Sequence, residues 1–124
     1  MNQRNGSRFS IDQAYLTEAP KEYLQVLSTT FVTRVILSSE YRATAVSLIH
    51  HGCQKTIHAQ KGIILAAGTV GTPKLLMLSG IGPREHLEYH GIPVRVNSPH
   101  VGANLQVIKI LLVNRQHVTI FICH

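Results

Sequence analysis

The chain predicts an α/β fold, an antiparallel β-ribbon leading into one buried strand and a helix, and three observations carry that prediction. Residues 23–27, 30–37 and 42–50 are successive stretches rich in Val, Ile, Thr and Leu, with Ser38-Ser39-Glu40 as a loop between the second and third. Gly62-Ile63-Ile64-Leu65-Ala66-Ala67 is an unbroken apolar run of one strand's length, the pattern of a strand buried on both faces. The run stops at Gly68, Thr69-Val70-Gly71-Thr72 follows as a turn of small residues, and Pro73 then opens a helix filled by Leu75, Leu76, Met77 and Leu78.

The remaining elements follow in chain order. Residues 1–9 are a polar, basic, extended lead-in; Asn5-Gly6-Ser7 fits a glycosylation sequon and a plain turn, and the turn is favoured because no apolar signal segment follows Met1. Ser10 is suited to cap a short helix over residues 11–16, with Asp12 at its positive end, and residues 17–22, holding Pro20, form a loop. His51-Gly52-Cys53-Gln54 turns the chain, residues 55–59 make a further short strand, and the central strand starts at Lys61. Ser79-Gly80-Ile81-Gly82-Pro83 stops the first helix; residues 83–89 form a second, with Glu85 in its first turn and His90-Gly91 at its end. Residues 92–96 are extended, and Asn97-Ser98-Pro99-His100 turns.

Composition narrows the function classes. At 124 residues this is at most one ordinary domain, and 44% hydrophobic with 15% charged residues is a globular balance. The net charge of +6 is scattered, without a basic run or a nucleic-acid-binding motif, so no nucleic-acid partner is expected. No apolar run reaches the ~20 residues of a membrane helix. Cys53 and Cys123 make neither a metal cluster nor a disulfide framework.

A buried strand, a glycine turn and a helix start together form the kind of edge that meets a cofactor in an α/β sheet. At Ala67-Gly68 bare backbone can approach a ligand because glycine lacks a Cβ; a structural turn needs the same glycine, and the residues alone leave both readings open. Gly80-Ile81-Gly82-Pro83-Arg84-Glu85 is not a dinucleotide fingerprint, since Glu85 fills the third glycine slot and the stretch follows a helix. His86 and His90 lie four apart, but a zinc-protease helix needs Glu directly after the first His, so a solvated face is the reading, as for His50, His51 and His58.

Gly68-Thr69-x-x-Thr72-Pro73-x-Leu75-Leu76-x-x-Ser79-Gly80-Ile81-Gly82 resembles the second signature of the glucose–methanol–choline (GMC) flavin oxidoreductases. Pro83-Arg84-Glu85-His86-Leu87, Gly91-Ile92-Pro93-Val94, Arg4-Asn5-Gly6-Ser7-Arg8 and Ala14-Tyr15-Leu16 are similar to its insect glucose-dehydrogenase-like members. The resemblance spans residues 4–106 and implies part of an FAD-binding domain carrying an antiparallel β-ribbon. It implies FAD contacts at Val32, whose backbone would meet the adenine, and at Ala67 and Gly68. It also implies oxidation of an alcohol or sugar CH–OH group, with hydride passing to the flavin and a histidine as base.

Departures from the family pattern weigh on activity. The pyrophosphate-binding Gly-x-Gly-x-x-Gly that the family places near its N-terminus is not in the chain, and Val107-Ile108-Lys109 stands where Asp-His follows the family's Val-Gly-x-Asn-Leu, here Val101 to Leu105. The family's catalytic histidine lies in its C-terminal substrate domain, and His100, His117 and His124 do not match its position. No catalytic residue is therefore assigned, and the chain alone is expected to be inactive. Residues 107–124, with no acid, Gly or Pro, are expected to be one or two strands and a divergent end of the domain; an interaction tail is the alternative. A non-catalytic remnant that binds a protein partner is the rival to the flavoenzyme reading.

Overall fold

Three strands make the central feature. In the computed structural model β3 (Thr30–Leu37), β4 (Ala43–His50) and β5 (Cys53–His58) form an antiparallel meander in that order, preceded by a small pair of strands, β1 (Gln3–Arg4) and β2 (Ser7–Arg8). The structure describes residues 3, 4, 6–10, 16, 19–22, 24–106, 108–114 and 117–123, with backbone alone for residues 3, 4, 8 and those beyond 106. Residues 11–15, the body of the helix expected behind Ser10, and Tyr23 lie outside the described residues.

The meander follows from its sequence. Register pairs Phe31 with Ile49, Val35 with Val46, and Val46 with Ile57, setting β-branched and aromatic side chains opposite one another. Thr33 has no opposite number between the Val32–Leu48 and Arg34–Ser47 pairs, and its hydroxyl donates instead to the Ser47 carbonyl at 3.0 Å. The β4–β5 turn is His51-Gly52, both at positive φ (48° and 78°), the two-residue geometry that matches strand twist. Between β3 and β4, Ser38 Oγ accepts from the backbone N–H groups of Glu40 and Arg42. Val35, Ala45, Ser47 and Leu48 are buried.

Two expected strands do not form. Residues 24–28 have no strand partner among the described residues, and Val26 is exposed. The outer edge of β3, where such a strand could add, is engaged by a helix end: the Val35 N–H donates to Ser79 Oγ at 2.8 Å. The apolar run at 62–66 is also no strand, and Ile64 is 94% exposed. A parallel strand buried on both faces exists only with neighbours that satisfy its N–H and C=O groups, and no described strand lies beside this run.

Helix α1 (Gly68–Leu78) begins five residues before Pro73, not at it. The small residues expected to turn are helical, and Thr72 Oγ1 accepts the Ala67 N–H at 3.0 Å, reaching back across the helix start. Pro73 therefore sits inside the helix, where its missing N–H leaves the Thr69 carbonyl without its i+4 donor. The C-terminus behaves as expected. Gly80, at φ +84°, donates to the Met77 carbonyl and stops the helix in a left-handed cap.

Beyond the cap the chain makes a compact parallel crossover. Strand β6 (Ile81–Gly82) pairs in parallel with β7 (Val96–Asn97), and α2 (Arg84–Tyr89) connects them. Leu87 of α2 is fully buried and packs over Gly82. Asn97 Oδ1 accepts the Arg84 N–H at 3.1 Å, satisfying a donor at the helix start, where Pro83 is the cap residue as its position suggested. The extended segment expected over 92–96 pairs only at Val96, and the turn expected at 97–100 falls at 99–102. At the end, β8 (Ile108–Asn114) and β9 (His117–Cys123) form an antiparallel pair, two strands as the composition allowed.

Candidate cofactor site

The signature stretch, residue by residue, mostly builds the joint between α1, β3 and the crossover. Ser79 is the link. Its buried hydroxyl donates to the Leu75 carbonyl at 2.6 Å and accepts the Val35 N–H at 2.8 Å, fastening the end of α1 to the edge of β3. Gly80 is buried under the returning chain: a Cβ there would stand 2.6 Å from the Pro93 carbonyl oxygen and 2.7 Å from Arg95 Cγ. Its own carbonyl accepts from the N–H groups of Arg95 and Val96, while the Arg95 guanidinium donates to the Leu37 carbonyl at 3.2 Å. A Cβ at Gly82 would stand 3.1 Å from Met77 Cγ and 3.6 Å from Leu87 Cδ2, and Gly102 brings the 101–106 loop against the Met77 methyl group.

The three residues expected at a cofactor occupy two places. Ala67 and Gly68 open α1 and are both exposed. Gly68 has φ +82°, a conformation that favours glycine, and no protein atom lies within 4 Å of where its Cβ would be, so the backbone is open to close approach. Val32 stands on β3, 36% exposed, three residues from the Val35 contact. The described contacts join α1 to β3 through Ser79, at the end of the helix opposite Gly68. The described contacts do not bring Val32 together with Ala67 and Gly68. No Gly-x-Gly-x-x-Gly stretch occurs among the described residues.

Sequence reasoning missed the bridging role of Ser79 and the reach-back of Thr72. Ser79 read as a helix stop; the signal that could have marked it is a hydroxyl beside a capping glycine, within reach of the carbonyl four residues back.

The histidines divide. His50 Nδ1 lies 2.8 Å from Thr30 Oγ1 and its ring meets His51 edge-on at 4.2 Å between centroids. Partial burial first, then the neighbouring His51 and Lys55, lowers its pKa below the ordinary 6.5. His86 of α2 and His90, which caps the end of that helix, meet edge-on with ring centroids 4.7 Å apart. Among the described residues no group of three or more His, Cys, Asp or Glu is placed to hold a metal ion, and no helix is long and apolar enough to cross a membrane.

Comparison with known proteins places this geometry. A family model described as GMC oxidoreductase matches residues 1–109. Oxygen-dependent choline dehydrogenase from Brucella ovis is 42% identical over 102 residues, covering 82% of this chain and 18% of the relative. Among solved structures, pyridoxine 4-oxidase from Mesorbium loti superposes with a TM-score of 0.70 at 29% identity, over 80% of this chain and 19% of that one. An FAD-dependent oxidoreductase from Chaetomium thermophilum superposes with a TM-score of 0.55 at 41% identity, over 59% and 13%. The chain thus spans about a fifth of the length of the curated relatives it matches. FAD is the cofactor of these oxidoreductases, and the β3–β5 meander with α1 is the antiparallel ribbon and helix of their FAD-binding domain. With the signature's glycines and Ser79 in the roles described, and the family match covering residues 1–109, the chain belongs to the GMC oxidoreductase family.

Proposed function

We propose that this chain forms one side of the flavin domain of a GMC-type oxidoreductase that takes hydride from the CH–OH group of an alcohol or sugar, and that alone it neither retains FAD nor turns over. The observation that carries the reading is Gly68: a left-handed, exposed glycine at the start of α1, with open space where a side chain would be. Ala67 and Gly68 would offer backbone to the cofactor, and Val32 would meet its adenine from β3. FAD, when bound, supplies the hydride acceptor. The residues of this chain position and pack; none is assigned as the base that takes the alcohol proton. Choline and pyridoxine are both alcohols, and the names of the two relatives that carry them support a CH–OH donor. The stretch from Pro83 to Val94 favours a glucose-dehydrogenase-like subtype. Residues 1–106 form the family domain in this reading, and 107–124 a divergent end.

A second reading, a non-catalytic remnant that binds a protein partner, has one observation in its favour. The run at 62–66 leaves Ile64 almost wholly exposed with its backbone unpaired, a surface open to strand addition.

A chimera separates the two. In it, residues 1–106 replace the matching stretch of the Brucella ovis choline dehydrogenase. The flavoenzyme reading expects the chimera to hold FAD and to reduce an artificial electron acceptor with choline. A folded chimera without flavin would leave only the remnant.

A further inference from the structure

Two histidines at the end of α2 stand one helical turn apart. His86 lies within the helix, His90 closes it, and both side chains are exposed. Their ring centroids are 4.7 Å apart. The backbone beneath them is held in place. The His90 N–H is shared between the carbonyls of His86 at 3.3 Å and Leu87 at 3.2 Å, and the first of these is the helical bond that sets residues four apart on one face. The next two N–H groups, of Gly91 and Ile92, donate to the Glu88 and Leu87 carbonyls, and Leu87 itself is fully buried. The helix end under the pair is therefore both capped and anchored. The separation suits chelation. With metal–nitrogen bonds of about 2.0–2.1 Å and an angle between square and tetrahedral, two imidazoles on one ion hold their centroids roughly 4.5–5.2 Å apart. Rotation about exposed side-chain bonds then suffices to aim one nitrogen of each ring at a common point.

We propose that His86 and His90 form a two-imidazole site for a divalent transition-metal ion, Cu²⁺ most tightly, with water in the remaining coordination positions. The donor set decides the class. Imidazole nitrogens suit copper, nickel and zinc, whereas Mg²⁺ and Ca²⁺ take oxygen ligands, and copper stands highest in the affinity order of the divalent ions. No carboxylate completes the site. Glu88 lies 3.3 Å from Arg84, and among the described residues no group of three or more His, Cys, Asp or Glu could hold an ion. The site is thus open to water, unlike a zinc-protease helix. Chelation supplies the affinity, because the second imidazole binds as an intramolecular ligand at high effective concentration. His50 and His51 serve as the internal comparison: their rings also approach, at 4.2 Å, but they are adjacent at a strand end and His50 Nδ1 is engaged with Thr30 Oγ1.

The test titrates the full chain with Cu²⁺, Ni²⁺, Zn²⁺ and Mg²⁺ in a non-coordinating buffer, by calorimetry and by the histidine ring NMR signals. Substoichiometric Cu²⁺ is expected to broaden the His86 and His90 rings before any other, with Ni²⁺ and Zn²⁺ weaker and no response to Mg²⁺. His86→Asn and His90→Asn should each weaken Cu²⁺ binding at least about tenfold. The double variant should lose little more than either single one, because one change already ends chelation. Both side chains are exposed, so neither change threatens the fold. Losses that multiply in the double variant would mean two independent single-histidine contacts and overturn the proposal. Binding that survives both changes and disappears in His50→Asn would overturn it as well. So would equal broadening of every histidine ring, the mark of an adventitious ion only.

Discussion

Ser79 and Gly80 are where the signature acts, and each makes a prediction at the scale of one residue. Replacing Ser79 by Ala leaves the buried Val35 N–H without its acceptor, at a cost of about 1–3 kcal/mol. Thermal or urea unfolding of Ser79→Ala against the parent chain measures it, and an unchanged midpoint would mean that the bridge does not hold α1 to β3. Two glycines at positive φ should differ. Gly80→Ala meets left-handed strain and a backbone oxygen at 2.6 Å, and should cost at least ~2 kcal/mol. Gly91→Ala, at φ +66° with nothing within 4 Å, meets the strain alone, about 1 kcal/mol. Equal losses in the two variants would remove the close approach from the account. His50 titrates below 6.5, so the folded state takes up its proton later than the unfolded chain does. Its contribution to stability is whole above pH 6.5 and falls as pH drops from 6.5 to the lowered folded value. NMR titration of the His50 ring checks this, and a midpoint at or above 6.5 would contradict it.

At the scale of elements, the sequence was readable where an element carries its own partners. The meander was legible because β3, β4 and β5 lie next to one another in the chain, and their β-branched residues pair across turns of two and five residues. The run at 62–66 was misread because apolarity does not supply backbone partners, and no described strand lies beside it. Residues 23–27 misled for a related reason: the β3 edge that could take them is engaged by Ser79. Helix α1 was found but begun too late. Pro73 fits a first helical turn so well that the reach-back from Thr72 to Ala67, invisible to propensity, went unread. Amide hydrogen exchange follows from these contrasts. Val46 and Leu48 on the middle strand should be the slowest amides, while Ile63, Ile64 and Leu65 should exchange at nearly unprotected rates. Strong protection at 63–65 would mean that the run finds strand partners, in a second copy of the chain if not within one.

For the whole molecule, the proposed cofactor contacts come only from the family resemblance. Spacing and glycine content alone left Gly68 open between a structural turn and a cofactor edge, with the turn the commoner case. Its exposure and positive φ are compatible with both, and its assignment to the cofactor stays a proposal drawn from the family. The missing Gly-x-Gly-x-x-Gly was legible in the sequence; what the sequence did not convey is that Ala67 and Gly68 stand exposed at the start of α1. The central claim is that this chain presents one face of an FAD site without the enclosure that retains the cofactor. Expression with excess flavin, desalting and a visible absorption spectrum of the recovered protein tests it most directly. The account predicts colourless protein, with flavin lost to the small-molecule fraction. A flavin band at near-equal stoichiometry after desalting would contradict it and show that one side of the site is enough.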